Sequence, residues 1–188
     1  MKTSLLVVLG IAWPLALAGQ TPPGACTHRG SAADLANRPS PLDSAQATIA
    51  GATVKVCYGR PSARGRTMLG DVLPFGTPWR LGANEPTRIT LPFAAEVAGV
   101  HVEAGTYSLY VVPQQASWEV HVNKAVDRWG IPIDAQVQAQ DVGKGTVAVE
   151  TLTQPVEQLT ISVVADPAPG LVVAWEKTRV RIPIKKVS

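Results

Sequence analysis

The sequence predicts an all-β fold, a β-sandwich or jelly roll of about eight or nine antiparallel strands with one long Arg-rich loop. Short runs rich in Val, Ile, Thr, Tyr and Trp alternate apolar with polar residues at period two, and turn residues separate them. Convincing helical periodicity is absent. A closed β-barrel is the alternative.

Taken in chain order, residues Gln20 to about Ser44 carry Pro22, Pro23, Pro39 and Pro41 amid Gly, Ser and Ala, which reads as a tether or loosely ordered arm. The first strand is TVKVCY at 53–58, where Val54, Val56 and Tyr58 alternate with Lys55 and Cys57. TRITL at 87–91 follows, then a hairpin in AEVAGVHVE that turns at Ala98-Gly99. GTYSLYVV at 105–112 sets Tyr107, Leu109 and Val111 on one face, and SWEVHVN at 117–123 does the same for Trp118, Val120 and Val122, so these two are expected to pair. TVAVETL, EQLTISVVA and LVVAWEKTRVRIPI complete the set, the last reading as two strands joined near Glu176-Lys177. Ser31 to Asn37 and Asp134 to Gln140 are the helical candidates, both short.

The amino terminus has Lys2, an apolar run from Leu5 to Ala18, and small residues at Ala16 and Ala18, the pattern of a secretory signal peptide cleaved after Ala18. The run contains Pro14 and is shorter than the ~20 residues a bilayer span needs, so no transmembrane segment is expected. The expected organisation is a signal peptide at 1–18, a Pro-rich linker or arm at 19–45 and one β-sandwich domain at 46–188, exported to the periplasm or secreted. A lipid anchor at Cys26 is the weaker reading, because Pro23, Gly24 and Ala25 lack the Leu-like residue of a lipobox. Cys26 and Cys57 either form the one bridge that two cysteines allow in an oxidising compartment or remain separate thiols. A formal net charge of +3 is too small to point to nucleic acid.

The segment Gly59 to Glu85, GRPSARGRTMLGDVLPFGTPWRLGANE, holds little strand pattern, and a loop that long in a small domain is functional or disordered. Arg60, Arg64, Arg66 and Arg80 face only Asp71 and Glu85 within it, and Trp79 adds a stacking surface. The candidate ligand-binding set is Arg60, Ser62, Arg64, Arg66, Trp79, Arg80, Asn84 and Glu85, for an anionic small molecule or a glycan. The competing reading has the arginines satisfying the loop's own carbonyls and pairing with Asp71 and Glu85.

Glu119, His121 and Asn123 share the strand face opposite Trp118, with successive same-face residues about 7 Å apart, close enough for acid/base work; a solvated sandwich face is the simpler reading. His28 and His101 show no ligand spacing with His121, so no metal is expected. Ser62 lies outside any G-x-S-x-G context and reads as a turn serine. Walker, Rossmann, C-x-x-C and H-E-x-x-H motifs are absent, and no cofactor is expected. Trp129 and Trp175 suit the core better than a ligand platform.

In this order GRPSARGR, PFGTPWRLGANE, AGTYSLYVVP, NKAVDRWG and LVVAWEKTRVRIPI resemble the exported bacterial family known as domain of unknown function 2911, over about residues 47 to 184. The family pattern falls on Arg60, Pro61, Ser62, Arg64, Gly65, Arg66, Trp79, Arg80, Gly82, Ala83, Asn84 and Glu85. Cys57, His121 and the stretch from Ile131 to Lys144 depart from it, which counts against a family-wide disulfide or a His121 mechanism. The resemblance implies an exported β-rich domain and carries no activity with it.

Three functions follow as expectations. The first is a non-catalytic envelope or secreted module whose Arg/Trp loop binds an anionic or carbohydrate ligand or organises the fold. The second is a hydrolase or lyase with Glu85, Asp71 or His121 as acid/base beside the arginines. The third is a protein-interaction module using a sheet edge, the C-terminal strand with Arg179, Arg181, Lys185 and Lys186.

Overall fold

A computed structural model describes residues 24–187. The expected signal peptide lies outside these residues. Among them are a one-turn helix α1 (Ala32–Ala36), strands β1 (Leu42–Ile49), β2 (Ala52–Gly59), β3 (Thr87–Leu91), β4 (Ala95–Val97), β5 (Val100–Val102), β6 (Gly105–Pro113) and β7 (Ser117–Asn123), a short helix α2 (Ala135–Gln138), and two long strands, β8 (Asp141–Val164) and β9 (Gly170–Lys186).

All neighbours are antiparallel in the order β1-β2-β3-β6-β7-β8-β9-β4-β5. The sheet folds over on itself as a sandwich and its ends, β1 and β5, do not pair, so the closed barrel is set aside. Alternation sets the faces. In β2, Ala52, Val54, Val56 and Tyr58 are buried while Thr53, Lys55 and Cys57 are partly exposed. β6 and β7 pair as expected, with Leu109 opposite Val122 and Val111 opposite Val120. Their inward residues meet Ile161, Leu171, Val173, Val180 and Ile182 of β8 and β9 in one core.

The β4–β5 hairpin turns at Ala98 and Gly99, both at positive φ (51° and 82°), the geometry of a type I′ turn. α1 and α2 fall inside the two helical candidates, capped by Ser31 in a capping box with Asp34 and by Asp134.

Four expectations are corrected. Residues 42–49 form a full strand, Leu42 opposite Gly59 through Ile49 opposite Ala52, so the sandwich begins within the stretch assigned to the arm. The arm is also held: Cys26 is bridged to Cys57, with Cα atoms 5.7 Å apart, and Lys55 Nζ donates to Gly24 O at 3.0 Å. TVAVETL and EQLTISVVA are one strand, as are the two halves expected in LVVAWEKTRVRIPI; irregular registers and a positive φ of 50° at Glu176 mark the breaks instead. Finally, β9 lies between β8 and β4, so the C-terminal strand is no sheet edge, and Arg179 is spent on Glu150 at 2.6 Å.

Candidate functional site

The segment between β2 and β3 caps one end of the sandwich, and its arginines point in separate directions. Arg60 donates through Nε to Leu159 O (3.1 Å) and through Nη2 to Thr160 Oγ1 (3.0 Å), and meets Asp43 at 3.3 Å. Pro61 and Ala63 run alongside β8, with Leu159 N donating to Pro61 O and Ala63 N to Glu157 O, both at 2.9 Å; Ser62 bridges Gln158 there. Arg64, at φ 53°, gives its backbone N–H to Glu157 Oε1 (2.7 Å) and its guanidinium to Pro39 O (3.2 Å). Arg66 folds back on Ala63 O (3.0 Å) and Ser62 O (3.4 Å). Arg80 packs beneath Gly130, and burial pushes its guanidinium below the usual range against the opposing pull of Glu85. Backbone carbonyls are thus the main acceptors, but only Arg66 uses the loop's own, as the competing reading expected; Arg60 and Arg64 reach β8 and the arm, and among the described residues no loop arginine forms an ion pair with Asp71 or Glu85.

Trp79 does not offer a stacking face to solvent. It is 6% exposed, its backbone pairs with Val111, its indole stacks on Trp175 at 5.6 Å and meets Trp118 edge-on at 5.8 Å, and Nε1–H donates to Gly82 O. Trp175 is buried as expected, whereas Trp129 is 43% exposed with the Arg38 guanidinium 5.7 Å from its ring. Asn84 secures the arm by donating to Ser40 O. Glu85 pairs outside the loop: Arg38 donates to its two oxygens at 2.7 and 2.9 Å, and Arg29 N at 2.6 Å. Asp71 is exposed and holds no ion pair among the described residues.

What the loop does line is a cleft of about 580 Å³ between its outer half and the irregular middle of β8 and β9. Here Thr151 faces Thr178 and Val156 faces Glu176, so residues 152–155 bulge opposite Lys177 alone. Glu176, re-aimed by its left-handed backbone, accepts from Met68 N (2.9 Å) and Leu69 N (3.0 Å) and so pins the loop. Phe75 lies across Gly70, whose positive φ of 91° favours a residue without Cβ, and is 43% exposed on the cleft wall. Leu69, Val149, Pro155 and Val156 extend that wall, and Arg66, Gln115 and Lys177 supply polar groups. Of the candidate set, Arg66 alone lines this cleft. Sequence reading missed its β8–β9 half; the signal was the polar, Pro-bearing interruption TLTQPVEQ between two strand patterns.

The polar face of β7 is not solvated as expected. His121 is 8% exposed, with Asp141 Oδ2 at Nδ1 and Glu119 Oε1 at Nε2, each 2.8 Å away. Tyr110 stacks on its ring at 4.2 Å and donates to Asp141 at 2.6 Å, and Asn123 donates to Asp141 Oδ1 and Val137 O. Lys144 and His121 hold the Glu119 carboxyl below its ordinary range although burial opposes them. His121 therefore sits in a closed network, while Glu85 binds the arm and Asp71 faces solvent. The three acid/base candidates do not converge with the arginines. No group of three His, Cys, Asp or Glu side chains among the described residues is arranged to hold a metal.

These features define a β-sandwich capped by a pinned Arg-rich loop. The sequence profile of the family described as "Protein of unknown function (DUF2911)" matches residues 40–184, and the chain belongs to that family. The match spans β1 and the capping loop, and leaves Cys26, Arg29 and Arg38 before its start. No curated protein and no solved structure matches the chain.

Proposed function

We propose that this chain is an exported, non-catalytic binding module of the bacterial envelope or secreted fraction, and that its ligand, anionic or carbohydrate, lodges in the cleft between the capping loop and the β8–β9 bulges. The cleft carries this reading. Its volume of about 580 Å³ falls within the ~300–1,000 Å³ of small-molecule sites, and it joins an exposed aromatic wall to a few polar groups. The separate placement of Glu85, Asp71 and His121 favours binding over hydrolysis or lysis. Export is supported by the Lys2-to-Ala18 pattern and by the Cys26–Cys57 bridge, which persists best under oxidising conditions.

Thermal shift of the mature chain against uronates, phosphates, sulfated glycans and peptidoglycan fragments tests the proposal. At least one class raises the melting temperature, and Phe75→Ala abolishes the rise while leaving the unliganded chain folded. An unchanged melting temperature across the panel, or a rise that Phe75→Ala preserves, overturns it.

A further inference from the structure

We infer that the ligand of this cleft is an amphiphilic anion, a carboxylate on an apolar body, with its head at Arg66 and Lys177 and its body along Phe75, Leu69 and Val156; this rests on the cleft being the binding site. Four charged residues line the cleft, two acidic and two basic, yet most of their free hydrogen-bonding capacity lies with the basic pair. Glu176 spends both oxygens on the backbone N–H groups of Met68 and Leu69, and Glu157 accepts from Arg64 N through Oε1, its Oε2 remaining open among the described residues. These carboxylates are anchors of the loop. Arg66 donates Nε and Nη2 to the carbonyls of Ala63 and Ser62, which leaves Nη1 free, and it has no acidic partner among the described residues. Lys177 is exposed and makes no hydrogen bond or ion pair among them. What remains for a ligand at the charged rim is therefore mostly donors, Arg66 Nη1 and the Lys177 ammonium against one open oxygen of Glu157, and a guanidinium and an ammonium lining one cleft select a carboxylate or a similar oxyanion.

The wall excludes the smallest such anions as the best fit. Phe75 is 43% exposed and Leu69, Val156, Pro155 and Val149 stand beside it, a surface that phosphate or sulfate would leave wet. Removing apolar area from water stabilises by roughly 25 cal/mol per Å², so a ligand that covers this wall gains over one that does not. A neutral sugar covers it but leaves the free donors of Arg66 and Lys177 without a charged acceptor.

The test is a titration of the ¹⁵N-labelled mature chain with octanoate, 1-octanol and galacturonate, followed by amide shifts. Octanoate moves the amides of Leu69, Phe75, Val156 and Lys177 and binds at least about tenfold more tightly than either other probe, the margin of one charge-assisted contact. The double variant Arg66→Gln, Lys177→Gln keeps a dispersed native spectrum and brings octanoate down to the affinity of octanol. Octanol or galacturonate binding in the cleft as tightly as octanoate overturns the ligand class and leaves the cleft standing. Shifts confined to other parts of the chain, or none with any probe, overturn the cleft itself.

Discussion

Glu85, 5% exposed, receives both terminal nitrogens of Arg38, at 2.7 and 2.9 Å, across a sequence separation of 47. One partner lies in the capping loop that the family profile spans, the other in the arm that precedes it. The pair thereby ties the N-terminal arm to the loop. Both side chains are at most 10% exposed, so losing Arg38 strands a buried carboxylate with the Arg29 N–H as its remaining tether to the arm. Arg38→Ala is expected to cost about 3 kcal/mol in urea unfolding, and adding Glu85→Gln to recover part of it. A loss below about 1 kcal/mol would place the pair among surface ion pairs.

The same carboxylate sets an acid limit. Burial acts to raise the Glu85 carboxyl, but hydrogen bonds from Arg38 and from Arg29 N outweigh it and hold the group below its ordinary value of 4.5. A depressed folded-state value means that the unfolded chain binds the proton first, so this stability is complete above pH 4.5 and is lost as pH falls through the lower native value. Urea midpoints measured from pH 6 downward fall below about pH 4.5, and Glu85→Gln flattens that fall. Equal slopes in both proteins would remove Glu85 as the cause.

The Cys26–Cys57 bridge closes a separation of 31 residues and holds the start of the arm against β2. On the chain-entropy account such a closure stabilises by about 3 to 4 kcal/mol. Reduction, or Cys26→Ser with Cys57→Ser, is expected to lower the melting temperature by about 6 to 16 °C for a chain of this size. Limited proteolysis then cuts first near residues 24–28, ahead of the Arg29 N–H to Glu85 bond, where exposed contacts such as Lys55 to Gly24 O and Arg88 to Thr27 remain. Cleavage elsewhere first would show that the arm is held without the bridge.

The strands that could be read from the chain are those with one apolar face. Val54, Val56 and Tyr58 announced β2, and Trp118, Val120 and Val122 announced β7, because burial on one side imposes period two. β1 escaped because it is an edge strand of Ala, Ser, Gln and Thr, paired through backbone and fully buried only at Ile49. The joint expected near Glu176 falls where the backbone turns left-handed, but pairing carries the strand through it. Site geometry was less accessible. Composition shows that Arg60 and Arg64 need acceptors, while the acceptors, Leu159 O and Pro39 O, lie 99 and 25 residues away. His121 read as solvated because its cover, Asp141, arrives 20 residues later through a stretch without periodicity.

Tyr110 limits stability at the alkaline end. Burial, reinforced by the hydrogen bond it donates to Asp141, pushes its phenol far above the ordinary 10.0, and Tyr58, buried beside Asp43, moves the same way. A raised folded-state value means the unfolded chain loses the proton first, so this contribution is intact below pH 10.0 and falls as pH rises above it. Absorbance at ~295 nm should therefore show Tyr58 and Tyr110 ionising only above the ordinary 10.0 and together with unfolding. Tyr110→Phe removes part of the alkaline slope. Tyr58 and Tyr110 titrating reversibly in the native state would contradict the closed network around His121.

Gly59 and Gly65 separate steric need from backbone need within the capping loop. Gly59 ends β2 where the loop returns over it: Ala83 N donates to Gly59 O at 3.2 Å, and a Cβ on Gly59 would collide with Ala83 O. Its φ is not in the left-handed region, so the obstacle is the neighbouring chain. Gly65 has a φ of 72° with nothing within 4 Å of a would-be Cβ, so only its own backbone resists a side chain. Gly65→Ala is expected to cost about 1 kcal/mol. Gly59→Ala should cost about 3 kcal/mol, because the backbone around Ala83, and with it the Trp79 Nε1–Gly82 O contact, must shift. Urea unfolding ranks the two variants, and the indole resonance of Trp79 moves in Gly59→Ala alone. The reverse ranking would mean that the loop gives way more readily than its close crossing of β2 implies.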